Sequence, residues 1–306
     1  MTSGLYADVV PWPIVQGQLS GHVHPSLARM QDGTLVAAFQ GKGVIMRSRL
    51  KKGAENWETA QPIPGTDWRP EYIPKTPHVE VYPCSLDHLP DDRLVVTWNY
   101  IGADKAKDYY ARPLVACISQ DAGLTWGKPF IIGPHGKKDL GALRHSLLPL
   151  SKNKWLLPLR ELAPVLFDKK TQSLTPFPIK TDDGKCHLAV QICRTAKGAL
   201  LAMAPDLLRS TDGGKTWQPV SNFPGIAESD NAQDRFLTPL DDGRVVITWG
   251  IDRDNKGIRY NVSKDDGLTW GATRHVLKEN DVTARYGSPR TVQLGKNLVC
   301  TIYFNR

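Results

Sequence analysis

This 306-residue chain predicts an all-β fold, a β-propeller of six blades. Three observations predict it. Pro and Gly are plentiful, at 23 and 26 residues, and long stretches with helical apolar periodicity are absent. A short β-type run, a polar turn and a second β-type run recur along the chain. A second motif, built on Asp, Gly and Trp, recurs at intervals of one or two such units.

The turns come first. QDGT lies at 31–34, PDDR at 90–93, KNK at 152–154, AKGA at 196–199, DDGR at 241–244 and GKN at 295–297. Each follows an apolar stretch, as SLLPL precedes KNK and RFLTPL precedes DDGR. Each leads into another: LVAAF, LVVTW, WLLPL, LLAMA, VVITW and LVCTI. Asp-Gly and its relatives favour the tight turns that join antiparallel strands. Successive turns are about 45 to 60 residues apart, the length of a four-stranded blade. The last unit has room for only two strands after Tyr286, so the segment Leu5–Val15 is expected to add the missing outer strand and close the ring. Its WPIV is compatible with a strand, and Pro11 and Pro13 suit an edge. Residues 1–306 then form a single domain.

The second motif reads S-x-D-x-G-x-T-W. It occurs as SQDAGLTW at 119–126, STDGGKTW at 210–217 and SKDDGLTW at 263–270. SRLKKGAENW at 48–57 is a decayed copy, and the third unit, around FDKKTQSL, has lost it. An Asp carboxylate in such a turn accepts backbone N–H bonds. The Gly permits φ > 0, and the Trp supplies a large apolar plate between sheets.

Composition bounds the function. Hydrophobic residues make up 41% and charged residues 23%, an ordinary globular balance. No apolar run reaches membrane-spanning length, so no membrane partner is expected. The opening MTSGLYADVV lacks the pattern of a signal peptide. The expected compartment is cytoplasmic if that start is native, and secreted or periplasmic if a leader has been removed. Thirty-nine Lys and Arg against 31 Asp and Glu give a net charge of +8, which favours an acidic partner. The basic residues are scattered, so nucleic acid is not the expected one. Five cysteines without a CxxC pair read as buried thiols, not as a zinc or disulfide framework.

With its repeated turns and Asp boxes, the chain resembles the sialidase-like BNR/Asp-box repeat family. The resemblance runs from GHVHPSLARMQDGTLVAAF to the C-terminus. It implies a six-bladed propeller with the boxes on the outer rim, away from the active site. It also sets Tyr286, in RYGSPRTVQLGKNLVCTIYF, where sialidases carry their nucleophilic tyrosine. Departures are plain. Val23-His24-Pro25 stands where the family has Arg-Ile-Pro, and Ala189 stands near the position of the glutamate that pairs with the nucleophile. Ala204-Pro205-Asp206 replaces an arginine, and no acid follows GKGVIMRSR.

In a propeller the innermost strands share one axis, so residues about ten positions before each turn should converge. That rule selects His22 and His24, Glu80 and Tyr82, Arg144 and His145, and His187. It also selects Asp230, Asn231, Asp234 and Arg235, and then Arg285, Tyr286 and Arg290. Tyr286, His24, His145 and His187 are the candidate catalytic groups. Arg144, Arg235, Arg290, Tyr82, Glu80, Asp234 and His22 are the candidate substrate-binding groups. Arginine forks bind carboxylates in a bidentate way, and tyrosine near cations acts as a nucleophile or an acid/base. His22 and His24 have the spacing of a metal pair, but no compact acidic or cysteine cluster accompanies them. Acid/base duty is expected instead, with no metal or other cofactor.

The expected function is cleavage of a glycosidic bond in an acidic, carboxylated oligosaccharide or polysaccharide by a sialidase-like enzyme. Two rivals remain. One is a uronate polysaccharide lyase working by β-elimination. The other is a non-catalytic glycan-binding propeller, for which only Trp12 and Trp68 of the nine tryptophans are left to stack sugars.

Overall fold

The computed structural model describes residues 14, 24–41, 43–69, 79–102, 113–133, 140, 143, 145–159, 162–221, 223, 232–251, 257–278 and 286–305. Those residues form strands, turns and loops, with no helix among them. The architecture is a β-propeller.

Five antiparallel four-stranded blades follow one another along the chain. Blade one is β1 (Ser26–Arg29), β2 (Leu35–Gln40), β3 (Ile45–Leu50) and β4 (Gln61–Pro62). Blade two is β5 (Val79–His88), β6 (Leu94–Gly102), β7 (Leu114–Ser119) and β8 (Phe130–Ile132). Blade three is β9 (Leu148–Pro149), β10 (Lys154–Leu157), β11 (Val165–Asp168) and β12 (Ser173–Pro176). A short hairpin, β13 (Ile179–Lys180) with β14 (Cys186–His187), comes next. Blade four is β15 (Gln191–Arg194), β16 (Leu200–Met203), β17 (Leu207–Ser210) and β18 (Gln218–Pro219). Blade five is β19 (Ala232–Pro239), β20 (Val245–Ile251), β21 (Gly257–Ser263) and β22 (Arg274–Lys278). The last sheet is the hairpin β23 (Tyr286–Gly295) and β24 (Leu298–Asn305).

Six blades were expected, and among the described residues five four-stranded blades are complete. The sixth turn, GKN, joins β23 to β24, and that sheet has two strands. The segment Leu5–Val15 lies outside the described residues apart from Ile14. Ile14 packs in one apolar cluster with Leu27, Leu35, Ala37 and Leu50 of blade one and with Val292, Leu294, Cys300 and Ile302 of the hairpin.

Every predicted turn joins the first and second strands of its sheet. The sheets meet through their first strands: β1 touches β5 and β23, β15 touches β9 and β19, and β19 touches β23. Apolar side chains fill the gaps between neighbouring sheets. Trp98 and Tyr100 lie between blades one and two, Trp155 and Phe167 between two and three, and Trp217 between three and four. All five rings are buried, as are Trp249 and Leu237 between blades four and five. Burying each such side chain is worth about 1.5–3 kcal/mol.

Polar stitches join the same neighbours. The Gln31 N–H donates to Asp92 Oδ1 at 3.0 Å, and Arg93 Nη2 to the Lys152 carbonyl at 3.1 Å. The Asp241 N–H donates to Gln293 Oε1 at 2.8 Å, and Arg29 Nη1 to the Gln293 carbonyl at 3.2 Å. Gln293 of the hairpin therefore holds blade five on one side and blade one on the other. Arg209 of blade four reaches blade five, its Nη2 donating at 2.9 Å to Asp266 Oδ2, a carboxylate only 3% exposed.

The Asp boxes lie between the third and fourth strands of blades two, four and five. In the first box, Ser119 Oγ donates to Asp121 Oδ1 at 2.9 Å and accepts the Gly123 N–H at 2.8 Å. Asp121 Oδ1 also accepts the Thr125 N–H at 2.8 Å. Gly123 has φ 82°, which a side chain would strain. Trp126 and Trp217 each donate their indole N–H back to the box glycine carbonyl. In the other two boxes Ser Oγ likewise donates to the Asp carboxylate, which accepts the Thr N–H. Burial, the largest single influence on Asp121 and Asp265, pushes their pKa up, yet the hydrogen bonds together hold both below the ordinary carboxylate range. Cys117, Cys193 and Cys300 are unbridged thiols whose pKa burial pushes up, to about 12 for Cys117 and about 11 for Cys300.

A candidate axial site

Three residues from three sheets meet where the first strands of blade one, blade two and the last hairpin touch. His24 sits just ahead of β1, Tyr82 is on β5, and Ser288 is on β23. The Tyr82 hydroxyl is 2.6 Å from His24 Nε2, and Ser288 Oγ is 3.1 Å from His24 Nδ1. The His24 and Tyr82 rings tilt at 53° with centroids 4.5 Å apart. His24 and Tyr82 are half-buried, while Ser288 is fully buried. Both ring nitrogens of His24 thus face a hydroxyl, and the phenol keeps a face toward solvent.

A second polar group lies further along the same strands. Asp87 of β5 accepts the Leu147 N–H at 3.2 Å, which ties blade two to the start of blade three. Burial pushes the Asp87 pKa up to about 6, against hydrogen bonds from Ser85, Ser146 and Leu147 and the charge of Arg290. Arg290 is 2% exposed. Its guanidinium carbon lies 4.9 Å from the Phe236 ring centroid, a cation–π contact, and its Nη1 donates to the Pro289 carbonyl at 3.1 Å. His145 is buried against the other side of the cluster, its ring 6.1 Å from Phe236.

The predicted site residues divide accordingly. His24 and Tyr82 are brought together, and His145 and Arg290 share Phe236. Arg290 was expected to clamp a substrate carboxylate. Instead it is packed inside, stacked on an aromatic ring and bonded to its own strand. His187 was expected at the axis, but its Nε2 lies 3.1 Å from Thr181 Oγ1 in the β13–β14 hairpin, and Thr181 bridges Trp217 at the edge of blade four. The short β-type run there makes a separate hairpin, not the opening of an inner strand. Arg235 is half-buried and turned toward blade four, where its Nη1 donates to the Pro205 carbonyl at 3.3 Å. Burial pulls the Arg235 pKa down, against the opposing charge of Asp206.

The backbone positions of Glu80, Asp234 and Tyr286 fall on β5, β19 and β23, and their side chains lie outside the described residues. His22, Arg144, Asp230, Asn231, Arg285 and Trp12 lie outside them altogether. Trp68 is 39% exposed, as expected of a surface tryptophan. Among the described residues, no group of three His, Cys, Asp or Glu is arranged to hold a metal ion.

Sequence reasoning missed Ser288, Asp87 and Phe236. Gly287-Ser288-Pro289 was a visible signal. Gly and Pro inside a β-type run mark a bulge, and bulges re-aim side chains. The register of β23 on β24 does shift between Gly287 and Arg290. Asp87, a lone carboxylate in the apolar SLDHL run, was the other signal.

The fold defines the chain as a β-propeller, with a hydrogen-bonded polar cluster between its first blades and its last sheet. No family model and no curated protein matches it. A protein of unknown function from Dyadobacter fermentans superposes with a TM-score of 0.61 at 20% identity, over 92% of this chain and 89% of that one. That likeness establishes the propeller fold alone. YCF48 bound to D1 peptide gives a TM-score of 0.45 at 14% identity, over 88% of this chain and 73% of that one. The Hadza microbial sialidase Hz136 gives 0.38 at 15% identity, over 88% of this chain and 50% of that one. These two likenesses are too distant to bear on function.

Proposed function

We propose that the chain is a carbohydrate-active enzyme that cleaves a glycosidic bond in a carboxylated saccharide, with Tyr82 and His24 moving the proton. The observation that carries this reading is the Tyr82–His24–Ser288 relay, with Tyr82 2.6 Å from the imidazole. A weakly acidic hydroxyl, a base within hydrogen-bond reach and a third group orienting that base form the general arrangement for activating an oxygen. The net charge of +8 suits an anionic substrate. Arg144, by its place in the sequence, is assigned to the substrate carboxylate.

The reading takes elimination as the route. Tyr82 gives its proton to His24 Nε2, and the phenolate takes the proton from the carbon bearing the carboxylate. The electron pair left behind forms a C=C bond as the neighbouring C–O bond breaks. The leaving oxygen collects the proton held by His24, and the proton now on Tyr82 restores the starting state. The hydroxyls facing both ring nitrogens support this route, because the imidazole can receive a proton from Tyr82 on Nε2 and return it there. A second reading is hydrolysis with Tyr286 as nucleophile, favoured by its place at the head of β23, two residues from Ser288. In either case the hairpin β23–β24 is read as the sixth unit of a ring that residues 5–15 complete, supported by the packing of Ile14.

The test is a panel of acidic oligosaccharides followed by ultraviolet absorbance and by reducing-end release. Elimination gives both signals, and hydrolysis gives only the second. Tyr82→Phe should lower turnover by about 100-fold or more. Full activity in that variant, or no cleavage across the panel by the parent protein, refutes the reading. Reducing ends without absorbance, lost in Tyr286→Phe, would establish the second route.

A further inference from the structure

We infer that Ser288 is a positioning residue that fixes the tautomer of His24, held in place by a locally strained backbone. This rests on the reading of Tyr82 and His24 as the proton-transfer pair. The residues around Ser288 are what single it out. Ser288 has φ 47°, in the left-handed region that L side chains adopt at a cost, and it is fully buried. Every immediate neighbour braces that conformation. A Cβ on Gly287 would come within 2.7 Å of the Phe304 ring, so the chain passes close against that ring and any side chain there would displace it. Pro289 has a restricted φ. Its carbonyl accepts from the buried Arg290, which is itself pinned over Phe236. The bulge in β23 spans this same stretch.

A strained non-glycine residue braced on both sides is retained where its side chain has a task. Here the side chain reaches His24 Nδ1 at 3.1 Å. The proton assignment follows from acidity. The phenol is a far stronger acid than an aliphatic hydroxyl, so Tyr82 donates to Nε2, and Nδ1–H donates to Ser288 Oγ. The basic nitrogen is thereby aimed at Tyr82. Without Ser288 the other tautomer competes, and in it Nε2 carries a proton and cannot accept one from the phenol. Arg290 thus takes a part other than the substrate clamp read from the sequence: it braces the serine.

The experiment compares Ser288→Gly and Ser288→Ala with the parent protein. Both remove the hydroxyl, but Gly takes the left-handed backbone without strain, whereas Ala keeps the Cβ strain that Ser288 already bears. Nitrogen NMR of the His24 ring, free of substrate, should show the Nδ1–H form in the parent and a mixture in both variants. Ser288→Gly should melt no lower than the parent, and Ser288→Ala should melt lower than Ser288→Gly. Turnover in the well-folded Gly variant should fall at least about tenfold with KM nearly unchanged. An unchanged tautomer in Ser288→Gly overturns the proposal, even if Tyr82→Phe is inactive and the functional reading stands. A tautomer that shifts as expected supports the proposal, even in a protein that cleaves no member of the panel.

Discussion

Asp87→Asn isolates one buried carboxyl group and should flatten part of the pH dependence of stability. Asp87 is 7% exposed, and burial raises its pKa from an ordinary 3.8 to about 6. Each pH unit of displacement is worth about 1.4 kcal/mol, so ionising Asp87 in the folded protein costs about 3 kcal/mol more than in the unfolded chain. The sign follows from proton counting. Below pH 4 both states hold the proton, and the stabilisation is fully present. Between pH 4 and 6 the unfolded chain releases its proton while the folded protein keeps it, so stability falls as pH rises. Above about pH 6 the loss levels off. The box aspartates work in the opposite sense and in a lower window, because their folded pKa values lie below the ordinary range. The assay is urea unfolding of the parent and of Asp87→Asn at intervals from pH 4 to 7. The amide keeps the shape and can still accept the Leu147 N–H bond. The gap between the two profiles should change by about 3 kcal/mol across the window, in favour of the variant at pH 7. Parallel profiles would refute the burial argument and the axial placement of Asp87.

Two further substitutions test the scaffold. Arg209→Met strands the buried Asp266 carboxylate and should cost about 3 kcal/mol in a denaturant melt, with Asp266→Asn restoring part of the loss in the double variant. A neutral result would mean that the Arg209 bridge does not couple blades four and five. Asp212→Ala removes the acceptor at the centre of the second box and should lower the melting temperature by about 2–4 °C. Its turnover per folded molecule should match the parent, and a selective loss of turnover in a well-folded Asp212→Ala protein would contradict the rim placement.

The scaffold was far more legible in the sequence than the site. QDGT, PDDR, KNK, AKGA, DDGR and GKN each join the strands expected of them, because a tight turn is a local matter of φ and side-chain length. The boxes were legible for the same reason: Ser119, Asp121, Gly123 and Thr125 bond almost entirely to one another. The axial cluster is not local. His24 and Tyr82 both fell under the convergence rule, but nothing in either segment records that their rings meet. His187 passed the same rule and failed, because the β13–β14 hairpin intervenes before blade four begins. Arg290 has the residue type of a carboxylate clamp, and nothing in its segment records its burial against Phe236. Ser288 carries no chemical flag of its own. Its flag was the glycine and proline on either side.

His24 and Ser288 are separated by 264 positions, yet one hydrogen bond joins them. A ribosome working at about 5–20 residues per second needs on the order of 10–50 s to travel from one to the other. During that interval the early blades can pair their strands, since those contacts are short in sequence, while the bond between His24 and Ser288 cannot form. That bond thus waits for the last sheet, β23 with β24. A nascent or prematurely terminated chain that stops before Ser288 carries the five blades and the boxes but lacks the serine that meets His24. The contact between the first blade and the last sheet is therefore a late one, made after the blades that frame it.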